Sequence, residues 1–178
     1  MTRMAEDLRY PIGTFESQPF SETQKKKWLD DIRSLPEILE QAILNLDEEQ
    51  LQSPYREGGW TVHQLVHHVA DSHLNAYCRF KLGLTEDNPV IRPYEEKAWA
   101  VLDDVRILPV NISLTLLHAL HIRWLGAMRG LAPEQWQRTV FHPGQQISIT
   151  LWDLMGSYAW HGKHHVAHIS NLRKRNHW

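Results

Sequence analysis

Apolar side chains recur at helical spacing in four stretches of this 178-residue chain, and no long strand pattern interrupts them. The first stretch predicts a helix over 21–46, with Trp28, Ile32, Leu35, Leu39, Ala42 and Leu46 on one stripe. Ser21 and Gln24 read as a capping box at its start, and Pro36 should kink it. The second predicts a helix over 61–85 that opens on a Thr61/Gln64 capping box and turns Val62, Leu65, Val66, Val69, Ala76, Tyr77 and Phe80 inward. A third is expected over 114–129, capped by Asn111 or Ser113 and stopped by Gly130, with Leu114, Leu117, His121, Trp124 and Met128 on its stripe. The fourth is expected over 151–173, with Thr150 as its cap.

The connections differ in character. Pro54 and Gly58-Gly59 mark a loop before the second helix. Segment 87–110 is long and contains Pro89, Pro93 and Pro109, with room for a short helix over 95–102. A bundle needs such a crossover when successive long helices are not antiparallel neighbours. Its Arg92, Tyr94, Glu95 and Lys97 are polar groups expected to border a functional site. Segment 139–150 fits either a small hairpin or an irregular loop around His142-Pro143-Gly144. With no repeat, linker or low-complexity tract, one all-α, four-helix domain accounts for residues 1–178.

Composition narrows the class. Apolar residues make up 42% and charged residues 22%, as in an ordinary globular protein. Lys plus Arg number 19 against 21 Asp plus Glu, a formal charge of -2. No basic run is present, so nucleic acid is not the expected partner. Cys78 stands alone, which excludes an intrachain disulfide and suits a reducing, cytoplasmic setting. Residues 1–13 include Arg3, Glu6, Asp7 and Arg9 and have no apolar core of the signal-peptide kind. No stretch has the length of a membrane-spanning helix, so no membrane association is expected.

The 12 histidines change the picture most. Following the fourth helix at every third and fourth residue gives Leu151, Leu154, Tyr158, His161, His165, His168 and Leu172. Residues four apart stack on one face, so His161 and His165 can reach one point in the interior. A buried imidazole left without partners costs about 1–3 kcal/mol per unsatisfied group. A metal ion satisfies two or three rings at once. A third ligand should come from another helix. On the second helix, His67 points away from the stripe and is expected to be solvated, while His63 lies near the end. Helical angle slightly favours His73 over His68, and His121 sits on the third helix's stripe. Singly, His73, His121 and His168 are as readily hydrogen-bonded core residues as ligands. His118, His142, His164 and His177 are expected to be exposed, and Cys78 to be incidental.

Leu51, Pro54-Tyr55-Arg56, Gly58-Gly59-Trp60-Thr61-Val62 and His67-His68-Val69-Ala70-Asp71-Ser72-His73 resemble the second-helix signature of the DinB-like superfamily. Tyr10-Pro11-Ile12-Gly13, Arg79-Phe80-Lys81-Leu82, Ile91-Arg92-Pro93-Tyr94, Glu96-Lys97-Ala98-Trp99 and Trp160-His161 with His164-His165 extend the resemblance over nearly the whole chain, to the YfiT-like branch of metal-dependent hydrolases. The resemblance implies a four-helix bundle with a long crossover between the second and third helices. It implies a zinc or nickel ion on His68, His161 and His165, and a homodimer. The Gly162-Lys163 pair between the last two ligands is less typical of that branch.

Three neutral imidazoles leave a divalent cation's charge uncompensated, and such a cation activates water near neutral pH. Zinc is the first expectation; nickel, copper and iron also suit imidazole. Hydrolysis of a small-molecule substrate is therefore the first functional expectation, with His73, His121 or Asp71 orienting ligands or moving protons. The rival is a metal-dependent thiol S-transferase that carries a low-molecular-weight thiol to an electrophile, because the same open position takes a thiolate and relatives work that way. A non-catalytic metal-binding stress module with a closed site ranks third. It would need a fourth ligand, His168 or His121. No His-Glu-x-x-His helix is present, which argues against peptidase chemistry.

Overall fold

A computed structural model of the chain describes residues 8–178, so Arg3, Glu6 and Asp7 of the amino-terminal reading lie outside the described residues. Four long helices carry the structure: α1 (Glu22–Ile43), α3 (Val62–Thr85), α6 (Val110–Met128) and α8 (Leu151–Asn176). Short helices α2 (Glu48–Leu51), α4 (Glu96–Trp99), α5 (Asp103–Ile107) and α7 (Pro133–Trp136) lie in the connections. Strands β1 (Thr139–His142) and β2 (Ile147–Thr150) pair antiparallel, Thr139 opposite Thr150, as a hairpin.

Local chemistry explains most boundaries. Ser21 accepts from the Gln24 amide to start α1, and the reciprocal Thr61/Gln64 box starts α3. Helix α1 runs through Pro36. Gly130, with φ of +77°, takes the left-handed position just past α6. The start of α6 corrects the sequence reading. The helix begins at Val110 with Pro109 as its cap, so Asn111 and Ser113 are interior residues. The Ser113 hydroxyl engages His67 instead. The short helix expected over 95–102 is α4, and a second short helix, α5, follows it.

Helix α1 packs on α6 and α8, and α3 packs on the same two helices. Contacts fix the directions. His67 meets Ser113 and His73 meets His121, so α3 and α6 run parallel. Gly156 faces Trp28 and Gly162 faces Leu35, so α1 and α8 also run parallel. Parallel neighbours cannot be joined by a tight turn, and this is why the 86–109 crossover must travel the length of the bundle.

Two apolar clusters fill the interior. One contains Trp28, Ile32, Ala76, Phe80, Trp124, Met128 and Tyr158. The other contains Leu35, Leu39, Val66, Val69, Leu117, Ile169 and Leu172. On every long helix the change from one cluster to the other brackets the same level. On α3, α6 and α8 that level holds His73, His121, and His161 to His168. The histidines form a polar belt across the middle of an otherwise apolar core. Among the described residues no helix is long and apolar enough to cross a membrane.

Candidate metal centre

His68 comes from α3, and His161 and His165 from successive turns of α8. One ring nitrogen of each lies within 4.8 Å of the other two. The His68 ring is 5.4 Å from His161 and 5.0 Å from His165, centroid to centroid. The Nε2 atoms of His161 and His165 are 3.1 Å apart. A metal about 2.0–2.1 Å from each nitrogen spaces tetrahedral ligands about 3.3 Å apart, so small side-chain adjustments close the set. Angle within α3 slightly favoured His73, but α8 crosses so that His68 faces the pair and His73 lies behind His161.

Burial holds these rings neutral. It lowers His68 to about 4 and takes His161 and His165 well below the usual imidazole range, with neighbouring imidazoles adding to the effect for the latter two. A neutral imidazole has a lone pair to offer a metal. His165 Nδ1 is buried and has no hydrogen-bond partner among the described residues. Three imidazoles with no carboxylate in the set suit a divalent transition metal better than calcium or magnesium.

Behind the cluster runs a chain of contacts. His161 Nδ1 is 3.2 Å from His73 Nε2. His73 Nδ1 is 2.9 Å from His121 Nε2, and His121 Nδ1 is 2.5 Å from the Ile32 carbonyl. His73 and His121 are thus core residues backing the cluster, one of the two roles open to them in the sequence. Asp71 stands outside the cavity lining, and its carboxyl is pushed up to about 6 by burial and by Asp104 of α5.

In front of the cluster opens a cavity of about 410 Å³, ample for a small molecule. Tyr55, Trp60 and Trp160 give it an aromatic wall, while Arg56, Lys97 and Glu96 supply charge. The Trp60 ring lies 4.6 Å from His68. The crossover therefore borders the site, as expected of Lys97, but through α4. Arg92, Tyr94 and Glu95 line a separate recess with Asn75.

Three histidine expectations fail, those for His67, His164 and His142. His67 is not solvated but only 5% exposed. Its Nε2–H donates to the Leu108 carbonyl at 3.1 Å, and its Nδ1 accepts from Ser113. His63 donates to the same carbonyl, so the two rings staple α3 to the end of the crossover. His164, expected on the surface, is 8% exposed. It pairs with His168 through Nε2 atoms 3.1 Å apart and stacks on Trp160, and both histidines line the cavity. Its position is off the α8 stripe, so only the fold of the 55–60 loop over that face reveals it. His142, also expected on the surface, is half-buried, while His118 and His177 are exposed as expected; Cys78 is exposed as well.

Comparison with known proteins follows the same line. Residues 26–169 match the DinB superfamily. A Bacillus cereus protein named "Putative metal-dependent hydrolase" is 51% identical over 173 residues, covering 97% of this chain and 99% of its own. An Oceanobacillus iheyensis protein of the same description is 49% identical over 171 residues, covering 96% of this chain and 98% of its own. The solved structure of YfiT from Bacillus subtilis, described as a probable metal-dependent hydrolase with an unusual four-helix bundle topology, superposes with a TM-score of 0.94 at 47% identity. It covers 97% of this chain and 99% of its own.

Proposed function

This chain belongs to the DinB superfamily, and from that membership and its histidine cluster we propose that it is a metal-dependent hydrolase whose His68, His161 and His165 hold the ion. The observation that carries the reading is the convergence of three neutral imidazoles from two helices on the floor of an open cavity. An open coordination position is what separates a catalytic site from a closed structural one. His168 and His121, the candidates for a fourth ligand, are engaged with His164, and with His73 and Ile32. That disfavours the closed metal-binding module.

When bound, the ion supplies Lewis acidity that activates water near neutral pH. Zinc is the proposed ion, with nickel as the alternative; the all-imidazole donor set suits both. The chain's own groups do the rest. Trp60 covers one side of His68 and limits bulk water there. Among the described residues, Arg9, Arg56 and Lys97 against Glu96 give the cavity wall a cationic balance that favours an anionic or anion-forming substrate. The same balance favours a thiolate, so thiol transfer to an electrophile is kept as the second reading of the site.

The free, exposed Cys78 supports a reducing, cytoplasmic setting. The exposed apolar side chains of Val101, Leu102, Ile107 and Ile112, along the crossover and the start of α6, support a homodimer. The deciding experiment is metal content of protein purified without a histidine tag, beside the His161→Ala variant, followed by paired assays of ester hydrolysis and thiol conjugation. About one metal per chain, absent from the variant, is expected. No metal in the wild type, even after reconstitution, would end the proposal.

A further inference from the structure

We infer that Pro36, His121 and His73 act as a relay that holds His161 in the one tautomer able to present its Nε2 lone pair to a metal. The inference rests on the reading of His161 as a ligand. It makes His73 and His121 positioning residues rather than ligands.

The argument starts in α1. A helical carbonyl ordinarily accepts from the amide four residues on. For Ile32 that residue is Pro36, which has no N–H. Ile32 is fully buried, so its carbonyl must find another donor inside the protein. His121 Nδ1 lies 2.5 Å away. A carbonyl oxygen only accepts, so His121 Nδ1 must carry the proton. His73 and His121 are buried and His161 is half-buried between His73 and His165, and among the described residues no carboxylate bonds to any of the three rings to hold a second proton. Each ring therefore carries one proton. His121 Nε2 is then a lone pair and accepts from His73 Nδ1–H at 2.9 Å. His73 Nε2 is a lone pair in turn and accepts from His161 Nδ1–H at 3.2 Å. That leaves His161 Nε2 unprotonated, on the side of His68 and His165. The direction of every bond follows from one carbonyl oxygen that a proline left without its helical donor.

The neighbouring ligand is set differently. His165 Nδ1 has no hydrogen-bond partner among the described residues, and its Nε2 lies 3.1 Å from His161 Nε2. With His161 Nε2 as the acceptor, His165 Nε2–H donates in the metal-free protein.

The test combines histidine nitrogen NMR of metal-free protein with Zn2+ titration of His73→Leu and His73→Gln. The spectra are expected to show the proton on Nδ1 of His161, His73 and His121, and on Nε2 of His165. A glutamine carbonyl can still accept from His161, whereas leucine cannot. His73→Leu should therefore weaken Zn2+ binding about 10- to 100-fold. His73→Gln should recover most of that loss. Circular dichroism monitors folding of both variants. A proton on His161 Nε2 in the wild type would overturn the relay, as would equal Zn2+ affinity, or equal loss, in the two variants. If the wild type bound no Zn2+ the ligand reading would fail, and the NMR pattern alone would then decide the relay.

Discussion

Helix α8 carries two histidine pairs of the same spacing and nearly the same internal geometry. His161 and His165 have ring centroids 4.4 Å apart at 79° and Nε2 atoms 3.1 Å apart. For His164 and His168 the values are 4.5 Å, 80° and 3.1 Å. Both pairs touch the same cavity. Their surroundings differ. A third imidazole, His68, faces the first pair, and His73 backs it. The second pair meets the rings of Trp160 and Tyr55; burial lowers His168 to about 3, with His164 and the positive charges of Arg56 and Arg175 adding to the effect. Those cations oppose a second cation and suit an anionic group. Helical spacing thus creates the opportunity for a metal site, and the facing helix decides which pair takes it.

The sharpest way to break this comparison is to truncate each pair in turn. His161→Ala or His68→Ala should abolish stoichiometric metal and reduce activity to background, whereas His164→Ala should keep about one metal per chain and raise KM. Elemental analysis beside steady-state kinetics checks both, and equal metal loss in the His164 variant would erase the distinction.

Acid should act on both pairs together. His68 and His121 are lowered to about 4 by burial, and His168 to about 3. Between those values and the unfolded value near 6.5, the unfolded chain binds more protons than the folded one, so stability rises with pH across that window. The Tm of metal-free protein should fall as pH drops from about 7 to about 4 and change little above 7. Calorimetry across that range would show a flat profile if the rings were solvated.

A smaller effect tests the helix that carries the ligands. Gly162 turns away from the cavity toward α1, and a Cβ there would lie 2.4 Å from Leu35. Gly162→Ala should cost about 1–3 kcal/mol by overpacking, a Tm loss of roughly 2–12 °C. Gly162 thus bears on α1–α8 packing, not on the pocket surface. Its neighbour should matter least. Lys163 pairs with Asp31 at 2.7 Å on the surface, and Lys163→Ala should change stability by about 0–1 kcal/mol with metal content unchanged.

Much of this was legible in sequence because it depends on one helix at a time. The inward stripes, the Thr61 and Thr150 caps, the hairpin and the His161–His165 spacing all follow from local periodicity and turn chemistry. What failed depends on a second element. His67 was misplaced because the angle around α3 says nothing of Leu108 and Ser113 arriving to cover that face. His164 was misplaced because Tyr10, from the segment ahead of α1, reaches its ring and the cavity wall of residues 55–60 faces it. The α6 start was missed because Ser113, a good cap in isolation, bonds a histidine on another helix.

Taken alone, the sequence determined that the chain forms a helical bundle with a long crossover and that one helix offers stacked imidazoles to its interior. Its resemblance to a known family pointed to His68 over His73. Only the tertiary structure decided that α3 runs parallel to α6 and antiparallel to α8, which sets His68 against the α8 pair and His73 behind it. Only it aligned His121 with the carbonyl that Pro36 leaves free. The physical reason is the range of the forces. Backbone hydrogen bonding and side-chain periodicity act within a few residues, while a metal site and its buried backing require groups 88 or 89 residues apart to meet within about a hydrogen bond's length, as His73 and His161 and Ile32 and His121 do.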